Sequence, residues 1–221
     1  MQEIIVKNKK ADIKKVELFG FKKCNKRYEY TTSFMNGDFT LLVKISENNK
    51  ILTELTENET KEIYTLHLTD AEGNFIGQIR DEYNKVIEKI IKECFIYDVF
   101  KNNYTKKVIS YIKDVYSDEL EYLWEKFPDN AIARRKDNSK WYLIIMTVKK
   151  NKLGFDSDEK IEVIDIRADK NQIQELTEKP DIYPGYHMNK KNWITIILDG
   201  SIKIEEIYKF IDKSYALAKK S

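Results

Sequence analysis

The sequence predicts an α+β chain made of two successive units, a small β-rich unit closed by a long helix and then a second set of strands and helices. Three observations carry that expectation. Two alternating runs, Tyr28–Thr32 and Phe39–Ile45, flank Asn36–Gly37, and Asn-Gly between alternating runs is a strong hairpin signal. From Phe75, apolar residues recur at Ile76, Ile79, Tyr83, Val86, Ile87, Ile90 and Ile91, the three- and four-residue steps of an amphipathic helix. Near the end, Ile204, Ile207, Tyr208, Ile211, Tyr215 and Ala218 repeat that spacing.

The elements follow in chain order. Residues 13–23 read as a strand, and 26–35 and 38–46 as hairpin partners. Residues 51–56 and 62–68 read as two more strands around the polar turn at 57–61. The helix from Phe75 ends near Cys94 and completes a first unit over residues 1–95. The junction, Phe95–Lys101, is neither Gly- nor Ser-rich, so a packed connection is expected. The second unit, residues 101–221, opens with a helix through Val108, Ile109, Ile112 and Val115, with Thr105 as its cap. A second helix is expected from Ser117, stopped by Pro128. A hairpin then turns at Asp137–Lys140 into the apolar run Trp141–Val148. A strand at 159–167, a short helix led by Asp169, a loop marked by Pro180 and Pro184, the strand at 192–198 and the closing helix complete the chain.

Composition narrows the function. Lys and Arg number 39 against 37 Asp and Glu, a near balance rather than the basic excess of a dedicated nucleic-acid binder. Cys24, Cys94, His67 and His187 fall in no metal-ligand spacing, so two free thiols and no metal are expected. Glycine-rich phosphate loops and nucleophile–base patterns are absent, so no cofactor and no enzymatic activity are expected. No apolar run reaches the ~18–20 residues of a membrane span, and the first fifteen residues lack the apolar core of a secretory signal. A cytoplasmic protein without a membrane partner is expected.

The tracts LWEKFPDNAIARRKDNSKWYLIIMTV, VIDIRAD, PGYHMNKKNWITIILDGSI and IDKSYALAKK resemble the MmcQ/YjbR family over residues 101–221. The resemblance implies a CyaY-like (frataxin-like) α+β fold, an antiparallel sheet with helices on one face. It also implies DNA binding through a double-wing arrangement of sheet and hairpins. It brings no catalytic residues.

The residues themselves offer two binding constellations. Between Asn130 and Lys152 stand seven basic residues and one acidic, Asp137. Arg134, Arg135, Lys136 and Lys140 bracket the turn, and Lys149 and Lys150 close the second strand. Such a ribbon can lie along phosphates, since each neutralised phosphate releases counterions. The second constellation is Lys190, Lys191 and Asn192, ahead of Trp193. The lysines suit phosphate contact and the asparagine a base edge. Trp193 reads as core, with a stacking surface as the alternative. Trp141, Leu143 and Ile145 share one face of their strand, and Tyr142, Ile144 and Met146 the other. One face meets helices. The other is either covered or a binding surface. DNA is the expected partner, with a protein- or small-molecule-binding regulatory module as the alternative.

Overall fold

The computed structural model describes residues 1–46 and 49–219, and the chain divides between Asp98 and Val99 into two compact units. The first contains β1 (Gln2–Ile5), β2 (Lys9–Ala11), α1 (Ile13–Phe19), β3 (Lys22–Cys24), β4 (Arg27–Phe34), β5 (Phe39–Ser46), β6 (Lys50–Glu57), α2 (Asn74–Cys94) and β7 (Phe95–Tyr97). Five strands form an antiparallel sheet in the order β1-β6-β5-β4-β3, and β2 pairs with β7. Alternation does what the sequence promised. Phe39, Leu41, Val43 and Ile45 face inward from β5 and meet Ile79, Tyr83, Ile87, Ile90 and Cys94 of α2 in one core. The Tyr83 hydroxyl pins the helix to the sheet, bonding the Thr53 hydroxyl at 2.8 Å and donating to Gln2 Oε1 at 2.7 Å.

Two strand expectations in this unit fail for local reasons. Residues 13–19 form a helix. Asp12 caps it by accepting from the backbone N–H groups of Lys14 and Lys15, and Gly20, at φ 113°, ends it in the left-handed region. Residues 62–68 touch the sheet at one bridge, Thr56–Ile63, before a short 3-10 turn at Leu66–Leu68.

The second unit contains α3 (Asn103–Tyr116), β8 (Asn130–Arg134), β9 (Trp141–Lys149), β10 (Lys160–Arg167), α4 (Ile173–Thr177), β11 (Ile182–Pro184), β12 (Trp193–Ile197) and α5 (Ile204–Leu217). Its sheet is antiparallel throughout, in the order β11-β12-β10-β9-β8. On one face, Leu143, Ile145, Ile164, Ile166, Ile194 and Ile196 pack with Val108 and Ile112 of α3 and Ile207 and Ile211 of α5. The other face buries Ile132, Ile144, Met146, Val148, Val163 and Ile197 in a separate cluster without a helix. No helix among the described residues is long and apolar enough to cross a membrane.

The expected helix from Ser117 to Pro128 does not form. Ser117 takes φ 57° and closes α3 instead, with its N–H on the Lys113 carbonyl. The chain then runs along β8, where Glu121 and Ile132 exchange both backbone hydrogen bonds. The sheet edge satisfies main-chain groups that a helix would have paired internally. Two cap assignments also move. The Asn102 side chain, not Thr105, accepts from the Tyr104 N–H to start α3. Asp169 closes a turn before α4, whose first residue is Ile173.

Ser214 explains the Ser-Tyr pair near the end of the sequence. Its buried hydroxyl donates to the Tyr142 carbonyl and accepts from the Arg167 N–H at 2.8 Å. It sits one step beyond the last paired residues of β9 and β10, Leu143 and Ile166. Helix α5 is thereby fastened to two strands through backbone groups. Tyr215 stacks on Tyr116 at 3.9 Å and meets Tyr142 edge-on at 4.9 Å.

Two expectations about titration and thiols follow. His67 is 5% exposed, lies 4.6 Å from the Tyr83 ring, and has no hydrogen-bond partner for Nδ1 among the described residues. Burial, with the Arg80 charge adding to it, lowers its pKa from 6.5 to about 4. The folded state keeps this ring neutral while the unfolded chain protonates it. Its stabilising contribution is therefore complete above pH 6.5 and is lost as pH falls toward 4, by up to about 3 kcal/mol. Urea unfolding of the first unit between those pH values should show this slope, and His67→Gln should flatten it. Both cysteines are free, Cys24 exposed and Cys94 buried, and burial pushes the Cys94 thiol up to about 12. Alkylation of the native protein should modify Cys24 alone, with Cys94 following only in denaturant. Modification of both at equal rates would contradict the fold.

Candidate functional site

The helix-free face of the second sheet is covered by two irregular segments of the same unit. One is the stretch before β8, contributing Trp124. The other is the loop from Gly185 to Asn192, contributing Tyr186 and Met188. A loop on an apolar face needs partners for its backbone N–H groups. Asp165 and Thr195 provide them. Thr195, Asp165, Ile144 and Ile132 stand opposite one another across four strands. Thr195 Oγ1 accepts from the Tyr186 N–H at 2.9 Å and donates to Asp165 Oδ1, while Asp165 Oδ2 accepts from the His187 N–H at 3.3 Å. Both anchoring side chains are fully buried. Burial raises the Asp165 pKa, and the Thr195 and His187 hydrogen bonds oppose that rise.

Gly185 begins the loop where only a glycine fits without displacement. Its N–H donates to the Trp193 carbonyl, and a Cβ there would lie 2.9 Å from Trp193 Cβ. Trp193 is 3% exposed, and its ring lies 4.8 Å below the Arg167 guanidinium, whose Nε donates to the Trp141 carbonyl. The core reading of Trp193 therefore holds over the stacking alternative.

Both covers contribute to one hollow on this face, a cleft of about 520 Å³. Trp124 and Trp141 form a corner, ring edge to ring face, with centroids 5.8 Å apart. Phe127, Tyr186, His187 and Met188 add to the walls, with Ile144 and Met146 among the lining residues. Asn130 and Asp129 contribute polar groups, and Lys149 and Lys152 cations. The Asn130 amide has no hydrogen-bond partner among the described residues.

The fold distributes the basic residues read from the sequence unevenly. Near the hairpin turn, Arg134 pairs with Glu121 at 2.7 Å. Arg135 is buried, donates through two nitrogens to Asp137, bonds the Tyr215 carbonyl and lies 4.0 Å over the Tyr215 ring. The guanidinium holds the Asp137 carboxyl below its usual range. Lys136 donates to the Ser117 carbonyl at 2.6 Å and lies 4.0 Å from Asp118, and Lys140 is half-buried. At the far end of β9, Lys149 pairs with Asp158 at 3.4 Å and Lys150 with Glu159 at 2.6 Å. The nine residues of β9 separate these two groups by roughly 26 Å. Lys190, Lys191 and Asn192 are exposed. Lys152, Lys190 and Lys191 have no acidic partner among the described residues. Asp165 and Thr195 were missed by sequence reasoning. Among the described residues, no three His, Cys, Asp or Glu side chains group to hold a metal.

Sheet, helix pair and loop cover define the second unit as a small α+β domain with one helix-covered face and one loop-covered face. The family model described as YjbR matches residues 114–217. The uncharacterized protein YyaQ of Bacillus subtilis (strain 168) is 36% identical over 112 residues, which cover 51% of this chain and 95% of that protein. The uncharacterized protein YjbR of Escherichia coli (strain K12) is 45% identical over 38 residues, 17% of this chain and 32% of that one. A crystal structure of a protein from Pseudomonas syringae superposes with a TM-score of 0.51 at 38% identity, covering 52% of this chain and 97% of that chain. This chain belongs to the YjbR family.

The two buried anchors differ in what their loss should do. Trp193→Ala removes a buried ring from the core and should cost ~3–5 kcal/mol of stability. Asp165→Ala leaves the Thr195 hydroxyl and the His187 N–H without their acceptor and should cost ~1–3 kcal/mol. It should also release the loop, so backbone amides 186 and 187 should lose hydrogen-exchange protection while β9 keeps it. Uniform loss of protection across the sheet would mean that Asp165 supports the whole core and not the loop.

Proposed function

We propose that the YjbR unit is a non-catalytic DNA-binding domain that contacts mainly the phosphate backbone. The observation that carries this reading is one cleft with cations at its β9 end and a wall loop that runs on into a second, exposed basic segment. Lys149 and Lys152 line it from the end of β9. The loop that supplies Tyr186, His187 and Met188 to the opposite wall continues into Lys190, Lys191 and Asn192. Lys152, Lys190 and Lys191 are free to meet phosphate without first leaving a carboxylate. Lys149 and Lys150 exchange a surface partner for a phosphate at small cost, because exposed ion pairs are worth little. Lys140, Arg134 and Lys136 join only if their present interactions open. Arg135 is engaged in packing against α5, which leaves it a structural part. The finer architecture belongs to the same reading: a frataxin-like sheet with α3 and α5 on one face, its hairpin and loop acting as two wings, in a cytoplasmic protein.

A second reading has its own support. The cleft's volume, about 520 Å³, lies within the roughly 300–1,000 Å³ of small-ligand sites, which suits a regulatory module that binds a small molecule and no nucleic acid.

A salt titration separates the two. Generic duplex should bind with an affinity that falls as salt rises. Lys190→Ala with Lys191→Ala should weaken all sequences alike and flatten the log–log salt slope by up to ~2 units, one for each phosphate that a lysine neutralises. Folding stability should change by no more than ~0.5 kcal/mol, since both side chains are exposed. A slope unchanged by the double substitution would take these lysines off the DNA. Absence of duplex binding at low salt would leave the small-ligand module.

A further inference from the structure

We infer that the cleft receives an unpaired nucleobase of a DNA strand, with the strand's backbone running on toward the cations at the end of β9; this rests on the DNA-binding reading above and names what the site selects. The walls fit a flat aromatic group better than a chain. The Trp124 and Trp141 rings stand at 85°, so a base stacked on one indole presents its edge to the other. Phe127, at 57% exposure, extends the apolar wall at the mouth. Bases stack on aromatic side chains with little regard to sequence, because each has a π-face.

The polar groups match a base edge and a phosphate, not a hydrocarbon. An aliphatic ligand would cover the Asn130 amide without satisfying it, which costs more than its burial gains at those atoms. A base offers both donors and acceptors along its edge. An Asn amide suits that pattern, and a carboxylate such as Asp129 accepts from an exocyclic amine. Lys152 has no partner among the described residues and Lys149 only an exposed one, Asp158, so a neighbouring phosphate of the same strand, further along β9 than the indole corner, finds cations there. A paired base is stacked above and below and cannot turn into such a corner, so the site selects single-stranded or flipped nucleotides.

The full-length chain tests this directly. Two of the three tryptophans, Trp124 and Trp141, line the cleft, so intrinsic emission reports its occupation. The probes are a labelled single strand of about 12 nucleotides, the blunt duplex of the same sequence and free deoxynucleoside monophosphates. The single strand should bind about tenfold more tightly than the duplex and quench tryptophan emission. Phe127→Ser and Lys152→Ala alter exposed side chains, so both variants should stay folded and bind the strand several-fold more weakly. Duplex bound as tightly as single strand, with emission unchanged, would overturn the inference and leave backbone binding standing. Failure of both forms to bind at low salt would overturn the DNA reading and the inference together. Equal affinity for a free monophosphate and the strand would overturn the assignment to DNA and make the free nucleotide the source of the same chemistry.

Discussion

The central strands of the second unit are apolar on both faces, and that demands two covers from a chain with one helix pair to place. Helices α3 and α5 take one face. The other must be sealed by irregular chain, whose backbone polar groups have no internal partners. That single requirement accounts for most of what is unusual in the unit. It places a carboxylate and a hydroxyl, Asp165 and Thr195, in the middle of an apolar face. It demands a glycine at 185, where the loop leaves the sheet against Trp193. It also leaves a hollow that both covers line, and that hollow is the cleft.

The charged residues obey a different logic. Counted along the chain, the hairpin has one acidic residue among seven basic ones. Counted in space, Glu121, Asp118, Asp158 and Glu159 join Asp137 beside it. The chain's near-neutral balance already implied that basic clusters would have acidic neighbours. Which lysines would remain unpaired depended on pairings across 9 to 19 residues of sequence, beyond the reach of any local count.

Legibility followed burial. Helices α2 and α5 were readable because each presents a continuous buried stripe at helical spacing. Helix α1 was not, since only Val16 of its seven residues is buried, and its true signals were a cap at Asp12 and a stop at Gly20. The stretch after Ser117 carries Leu, Tyr and Trp at spacings a helix would accept, yet the free edge of β8 offered its backbone a better partner. Trp193 was legible as core because it leads an apolar run. Asp165 was hidden by the same kind of run: in Val-Ile-Asp-Ile-Arg an aspartate reads as a solvent-facing residue, and only the loop crossing above it makes that position an interior one.

The Asp165–Thr195 anchor grips main chain, not side chains. The path of the loop over the sheet is set by two N–H groups that every residue but proline possesses. Positions 186 and 187 can therefore change their side chains while the wall stays where it is. The chemistry of this face is then free to change at little structural cost, in the way antibody loops vary on a constant frame, whereas a proline at either position would detach the wall itself.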